Sequence, residues 1–316
     1  MSFVGTLAAV SATLGDYPVY GGQAVRYAIA ALILLAVGKL GPRIRGDLAL
    51  GIRSARTAGR LGGRDYLLLS ALAATGLAGF NVCVIAATQH AGPATVGTVI
   101  ATTPVALALV APLMDRRRPH PPVVAAALVV AAGAAVSNGL GGGSLRGLLL
   151  SLGALAGEVC FSLLAIPLLP KLGPVRVSAY SAACAAPMLL VAGLIADGRE
   201  VVRMPTAGEA AGLAYLAAIV TTIAFFLWYD AIGRIGADRA GLFAGLIPVS
   251  AVTTTMVLGL GRPSTADLAG AALVAAGVVI GLRAKPTEPA QTAPKQTAPA
   301  ADPALPAARA ADPARA

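Results

Sequence analysis

Apolar residues gather along this chain in blocks that are hydrophobic on every side, with neither the alternation of a half-buried strand nor the single stripe of a surface helix. The blocks lie near 1–14, 21–38, 66–87, 93–114, 121–138, 146–168, 175–195, 208–229, 239–259 and 266–282. About 20 apolar residues in a helix cross a hydrocarbon core about 30 Å thick, and most of the blocks approach that length. The pattern therefore predicts an all-α polytopic membrane protein with about ten transmembrane helices. Outer-membrane strands would show segments of alternating polarity, which Ala-rich stretches such as 123–136 lack, so a barrel is excluded. Short connections hold Gly41-Pro42, Gly141 to Gly143, Pro170, Gly173-Pro174 and Arg262-Pro263, and no soluble domain fits between them. Residues 284–316, rich in Pro, Ala, Thr and Gln without apolar periodicity, are expected to form a disordered cytoplasmic tail.

The chain also resembles itself. With a shift of 144, Gly92 meets Gly236, Gly97 meets Gly241, Pro104-Val105 meets Pro248-Val249, Arg118-Pro119 meets Arg262-Pro263, and Val130 to Gly133 meets Val274 to Gly277. Two repeats follow, 1–138 and 146–283, of five helices each. Five is odd, so the second repeat enters the membrane from the opposite face. Inverted repeats of this kind are a transporter signature, because two equivalent packings let a central site open to either side. Aligning Leu34-Leu35 with Leu189-Leu190 shifts the earlier part by 155 and leaves Arg146 to Ala156 without counterparts. The first helix is thus expected to be truncated: either Met1 is an internal methionine of a longer frame, the favoured reading, or the first crossing is stunted.

Composition agrees: 57% of residues are hydrophobic and 12% charged, against about a quarter charged in soluble domains. A net charge of +10 invites a nucleic-acid reading, but the basic residues fall in alternate connections. Sixteen lie on one side (among them Arg43 to Arg64, Arg116 to Arg118, Lys171, Arg234 and Arg283) and four on the other (Arg146, Arg199, Arg203 and Arg262). The positive-inside rule puts the sixteen, and the C-terminus, in the cytoplasm of a bacterial-type inner membrane. No nucleic acid is needed to explain the charge. Cys83, Cys160 and Cys184 lie in apolar blocks without metal-like spacing, and His90 and His120 are too few for a metal site, so no metal or cofactor is expected. The chain lacks a phosphate-binding Gly-x-x-x-x-Gly-Lys loop, and the first residues lack the basic segment of a cleavable signal.

Several motifs resemble the EamA-type family of drug/metabolite transporters. Ala24-Val25-Arg26-Tyr27 with Ala30-Ala31-Leu32 is similar to the family's second-helix signature, and Ala86 to Ala91 followed by Pro104 to its third-to-fourth-helix pattern. Phe226 to Ala231 with Pro248, and Gly270 to Leu273 with Gly277, resemble the matching elements of the second half. The resemblance spans residues 2–283 and implies two five-helix repeats and export of small solutes coupled to protons. The family's Trp-Gly in helix one is missing. Where the family closes helices four and nine with Gly-Glu, this chain has Asp115-Arg116 and Gly261-Arg262, so no role of those glutamates carries over.

Substrate chemistry must come from polar groups inside the bilayer, where an ionisable residue costs at least about 2.5–3.5 kcal/mol. Glu158 leads. With Ser151 seven residues before and Ser162 four after, it forms a stripe expected to face the interior, where it carries a proton, binds a substrate amine, or merely bonds a neighbouring helix. Asp230 either acts at the site or pairs with Arg234 at the interface. Arg26 pairs with Asp16, binds an acidic substrate group, or, the favoured reading, snorkels to the headgroups. Asn81 serves a cavity or an interhelical hydrogen bond. Trp228 and Tyr229 line a cavity or, slightly preferred, belong to the interfacial belt. Pro104 and Pro248 are expected to kink their helices at symmetric depths. The expected protein is a secondary-active carrier of metabolites, amino acids or drug-like compounds, whose partners are the small-molecule substrate, protons and the lipid bilayer. The rival is an integral-membrane enzyme acting on a lipid, which would need interfacial carboxylate or histidine clusters that the sequence lacks. The oligomeric state stays open, a homodimer included.

Overall fold

The computed structural model describes residues 14, 17–44, 61–114, 116–138, 144–257 and 264–283. All of their regular structure is helical. The expected first crossing, the basic connection at 45–60 and the tail lie outside the described residues. Helix α1 is Val19–Ile44, running through Gly41-Pro42, where a break was expected. Helix α2 (63–88) is built of Gly63–Ala71, Leu72–Gly79 and Phe80–Thr88, and α3 (93–114) of Pro93–Ile100 and Thr103–Met114. There follow α4 (Pro121–Asn138), α5 (Leu145–Leu163) and α6 (Leu169–Asp197), the last broken by Gly173 at φ 72°. Helix α7 (207–235) comprises Ala207–Tyr215, Leu216–Ile223 and Ala224–Ile235. Helix α8 (237–257) comprises Ala237–Leu242, a 3₁₀ turn Phe243–Gly245 and Leu246–Val257, and α9 is Thr265–Arg283. Seven of the described segments are long and apolar enough to cross a membrane.

Two irregularities recur at the same offset. The middle segments of α2 and α7, Leu72–Gly79 and Leu216–Ile223, are π-helical and start 144 residues apart. Such wide turns are rare and often sit at functional sites. In α2 the wide turn needs Gly79, since a Cβ there would lie 2.8 Å from the Ala74 carbonyl oxygen. In α7 the hydroxyls of Thr221 and Thr222 donate to carbonyls five residues back, Leu216 O and Ala217 O. The second irregularity is the interruption of α3 at 101–102 and of α8 at 243–245, just before Pro104 and Pro248. Pro104 has no N–H for the carbonyl of Ile100, and the Thr103 hydroxyl takes that acceptor at 2.6 Å.

Helices whose sequences correspond pack against each other. A Cβ on Gly133 of α4 would lie 2.8 Å from the Gly270 carbonyl oxygen of α9, and one on Gly277 of α9 would lie 2.9 Å from that of Ala126 in α4. Gly277 is Gly133 plus 144, and Gly270 is Ala126 plus 144, so each contact is the other with the helices exchanged. As the number rises along α4 it falls along α9, which makes the pair antiparallel. Helices α1 and α6 repeat the relation: Gly38 lies against Val175, and Gly193 against Tyr20, residues related by 155. Exchange of this kind is what a two-fold axis produces. Small residues at both crossings let backbones touch where lipid gives no hydrophobic incentive to associate.

Candidate functional site

Helix α5 descends against the π segment of α2 on three glycines. Gly153 meets Cys83, Gly157 meets the Thr75 carbonyl and Phe80, and the backbone of Phe161 fills the space left by Gly76. This crossing fixes Glu158 beside the wide turn, partly buried. Its carboxylate has no hydrogen-bond or ion-pair partner among the described residues, while its backbone carbonyl accepts from Ser162 at 3.2 Å. Ser151 and Ser162 are fully buried, so the polar stripe faces the protein interior as expected.

A row of aromatic rings joins α1, α5 and α7. Tyr27 of α1 stands 6.1 Å from Phe225 of α7, Phe225 4.8 Å from Phe161 of α5, and Phe161 5.0 Å from Tyr229 of α7, between ring centroids. Trp228 donates from Nε1 to Ser162 Oγ at 3.2 Å, and the Tyr229 hydroxyl donates to the Phe161 carbonyl at 3.3 Å. Tyr229 also lies within electrostatic range of Glu158. Trp228 and Tyr229 are 5% and 0% exposed, which overturns their placement in the interfacial belt. Helix α7 continues to Ile235, so neither ring stands at the helix end, and each polar atom finds a buried partner.

Arg26 requires a second correction. Rather than snorkelling, its side chain is 6% exposed, with Nε donating to Thr221 Oγ1 at 2.5 Å and Nη1 to Gln23 Oε1 at 3.0 Å. Its guanidinium carbon lies 5.2 Å from the Tyr27 ring centroid. No carboxylate pairs with it among the described residues, and Asp16 lies outside them. Asn81 donates to the Tyr27 hydroxyl at 3.1 Å and to the Leu77 carbonyl at 2.7 Å, the interhelical alternative. Bonds of this kind between membrane helices average about 0.6 kcal/mol, so Tyr27→Phe should destabilise by roughly that amount when unfolding is followed in bicelles.

Asp230 stands apart from this cluster, paired with the half-exposed Arg234 at 2.6 Å. An exposed i,i+4 pair contributes about 0.3–0.5 kcal/mol, so Asp230→Asn should leave transport near wild type in vesicle assays and lower stability only slightly. The structure therefore brings together Arg26, Asn81, Glu158, Ser162, Trp228 and Tyr229, and leaves Asp230 outside. The sequence reading missed Tyr27, Phe161, Phe225 and Thr221. The repeat held one clue, since Phe225 is Asn81 plus 144 and both touch Tyr27. No cluster of metal-ligating side chains occurs among the described residues.

Seven apolar helices of membrane-spanning length, with polar and aromatic side chains buried among them, define a multi-pass membrane protein. Residues 145–283 match the EamA-like transporter family. The chain is 24% identical over 266 residues to "Uncharacterized transporter YetK" of Bacillus subtilis (strain 168), covering 82% of this chain and 77% of that protein. It also shares its fold with a solved structure described only as "Crystal structure of protein", at a TM-score of 0.69 and 22% identity, over 88% of this chain and 93% of the other. The second part of the chain is therefore similar to the EamA-like transporter family, and most of the chain is similar to a bacterial transporter.

Proposed function

We propose that this protein is a secondary-active, proton-coupled exporter of small organic solutes, working by alternating access between two inverted five-helix halves, 1–138 and 146–283. The observation that carries the reading is the Glu158 carboxylate, partly buried, without a hydrogen-bond or ion-pair partner among the described residues and within electrostatic range of Tyr229. A group so expensive in a bilayer is retained for a task, and here the task is to take up a proton or a substrate amine. The reciprocal antiparallel contacts of α4 with α9 and of α1 with α6 support the inverted arrangement. Arg26, whose positive charge meets no carboxylate among the described residues, holds an acidic or polar group of the solute. A path opening beside Trp228, Tyr229 and Phe225 would suit a cargo with an apolar body. The basic connections lie in the cytoplasm, together with the C-terminus.

Counterflow in proteoliposomes tests this. Vesicles loaded with a candidate metabolite, amino acid or drug-like compound should exchange it for labelled solute without chemical change. Product formation from a lipid substrate, with no exchange, would favour the membrane enzyme instead.

A further inference from the structure

Two buried carboxylates, Asp65 and Glu209, stand 144 residues apart in sequence and do the same thing in the structure. Each is the third residue of its helix, α2 or α7. Asp65 Oδ2 accepts from the Gly62 backbone N–H at 3.0 Å, and Glu209 Oε2 from the Thr206 backbone N–H at 2.8 Å. Gly62 and Thr206 are again 144 apart. Capping asks for nothing more. Yet each carboxylate also holds a cation from outside its own helix. Lys171, at the start of α6, donates to Asp65 Oδ1 and Oδ2 at 2.7 and 3.0 Å. Arg203, in the connection before α7, forks onto Glu209, with Nη1 on Oε2 at 3.0 Å and Nη2 on Oε1.

The fork on Glu209 reaches further. The Tyr17 hydroxyl, just ahead of α1, donates to the Arg203 carbonyl at 3.1 Å, and the Arg203 guanidinium lies 5.1 Å from the Tyr17 ring centroid. Tyr17 plus 155 is Leu172, the neighbour of Lys171. Each carboxylate thus grips the segment that leads into the second helix of the other half, Asp65 directly and Glu209 through Arg203. The two grips lie at opposite ends of α6, whose unbroken part, 174–197, spans about 36 Å at 1.5 Å per residue. The carboxylates are buried, at 5% and 8% side-chain exposure, while Lys171 and Arg203 are 49% and 41% exposed, so water reaches each pair from its cationic side.

We propose that Asp65–Lys171 and Glu209–Arg203–Tyr17 are the two gates of the carrier, equivalent devices at opposite faces that open in alternation. This rests on the alternating-access reading above. Both pairs are formed in this structure, as the closed intermediate of such a cycle would require. Exchanging the two halves turns one gate into the other, so a packing that opens the first corresponds to one that opens the second.

The test is to loosen one gate at a time and read both faces. Spin labels on Arg64→Cys and Pro170→Cys report the Asp65 face, and labels on Val19→Cys and Ala207→Cys the Glu209 face, with Cys83, Cys160 and Cys184 replaced by alanine. In nanodiscs, Asp65→Asn should raise the long-distance population at its own face about tenfold, the scale of one lost charge-assisted bond, and leave the other face shut. Glu209→Gln should do the converse. Should either variant fail to fold, Lys171→Gln and Arg203→Gln break the same pairs while sparing the caps. The proposal is overturned if the variants only lower the melting temperature with both distance distributions unchanged, or if both open the same face. Counterflow on the same samples separates the two ideas. A wild type that exchanges no solute but still shows opposite shifts would sink the carrier reading and keep the gates.

Discussion

Glu158→Gln is expected to abolish most transport while leaving the protein at least as stable as the wild type. Glutamine keeps the size of the side chain and removes its charge. Among the described residues no donor compensates the carboxylate, so the fold loses no bond and is spared a group costing at least about 2.5–3.5 kcal/mol in a bilayer. Transport is different. A charge-assisted hydrogen bond to a proton carrier or an amine is worth about 1.5–3 kcal/mol, so the initial rate of counterflow should fall about 10- to 150-fold. If Glu158 carries the coupling proton, residual transport should also lose its dependence on external pH. Paired measurements of rate and unfolding midpoint decide the matter. A variant with normal rates, or one that loses rate only as far as it loses folded protein, would remove Glu158 from the mechanism.

The second large effect concerns packing. Gly277→Leu should destabilise by about 3 kcal/mol or more, because even a Cβ at this position would lie 2.6 Å from Val130 Cγ2 and 2.9 Å from the Ala126 carbonyl oxygen. Backbone atoms cannot swing aside, so the helices α4 and α9 must part along their length. Gly133→Leu should be about as harmful, since its Cβ would lie 2.8 Å from the Gly270 carbonyl oxygen. Gly233, helical and with nothing within 4 Å of the added carbon, supplies the contrast: Gly233→Ala should be neutral or stabilising by up to about 1 kcal/mol. Folded fraction after detergent extraction, followed by titration with a denaturing detergent, orders the three. Equal tolerance at 277 and 233 would mean that the close approach of α4 and α9 is not made in the membrane.

Blocks of uniform hydrophobicity were a good guide to the helices. The expected spans 66–87, 208–229 and 266–282 meet helices Gly63–Thr88, Ala207–Ile235 and Thr265–Arg283. The shift of 144 that aligned the prolines also aligns the π segments, a feature that hydropathy does not report because every residue in them is apolar or small either way. Depth was harder to read. Tryptophan and tyrosine suit both a headgroup belt and a buried hydrogen bond, and the difference at Trp228 and Tyr229 came from six further residues of helix beyond the expected end. Arg26 lies seven residues inside α1, within reach of the headgroups, and is held instead by Thr221, a partner 195 residues away. Asp65 and Glu209 drew no notice, since an acid at a helix start reads as an ordinary first-turn charge, and only the arriving cations distinguish them.

The close contact of α4 with α9 also limits how the proposed carrier could move. Backbones that touch through Gly133 and Gly277 leave no layer of side chains to slide on, and interlocked ridges of this kind resist shear. In the proposed cycle these two helices would form an axle. The remaining helices would have to turn about it, and a drug or mutation that wedged the two apart would loosen the bearing without touching the cargo.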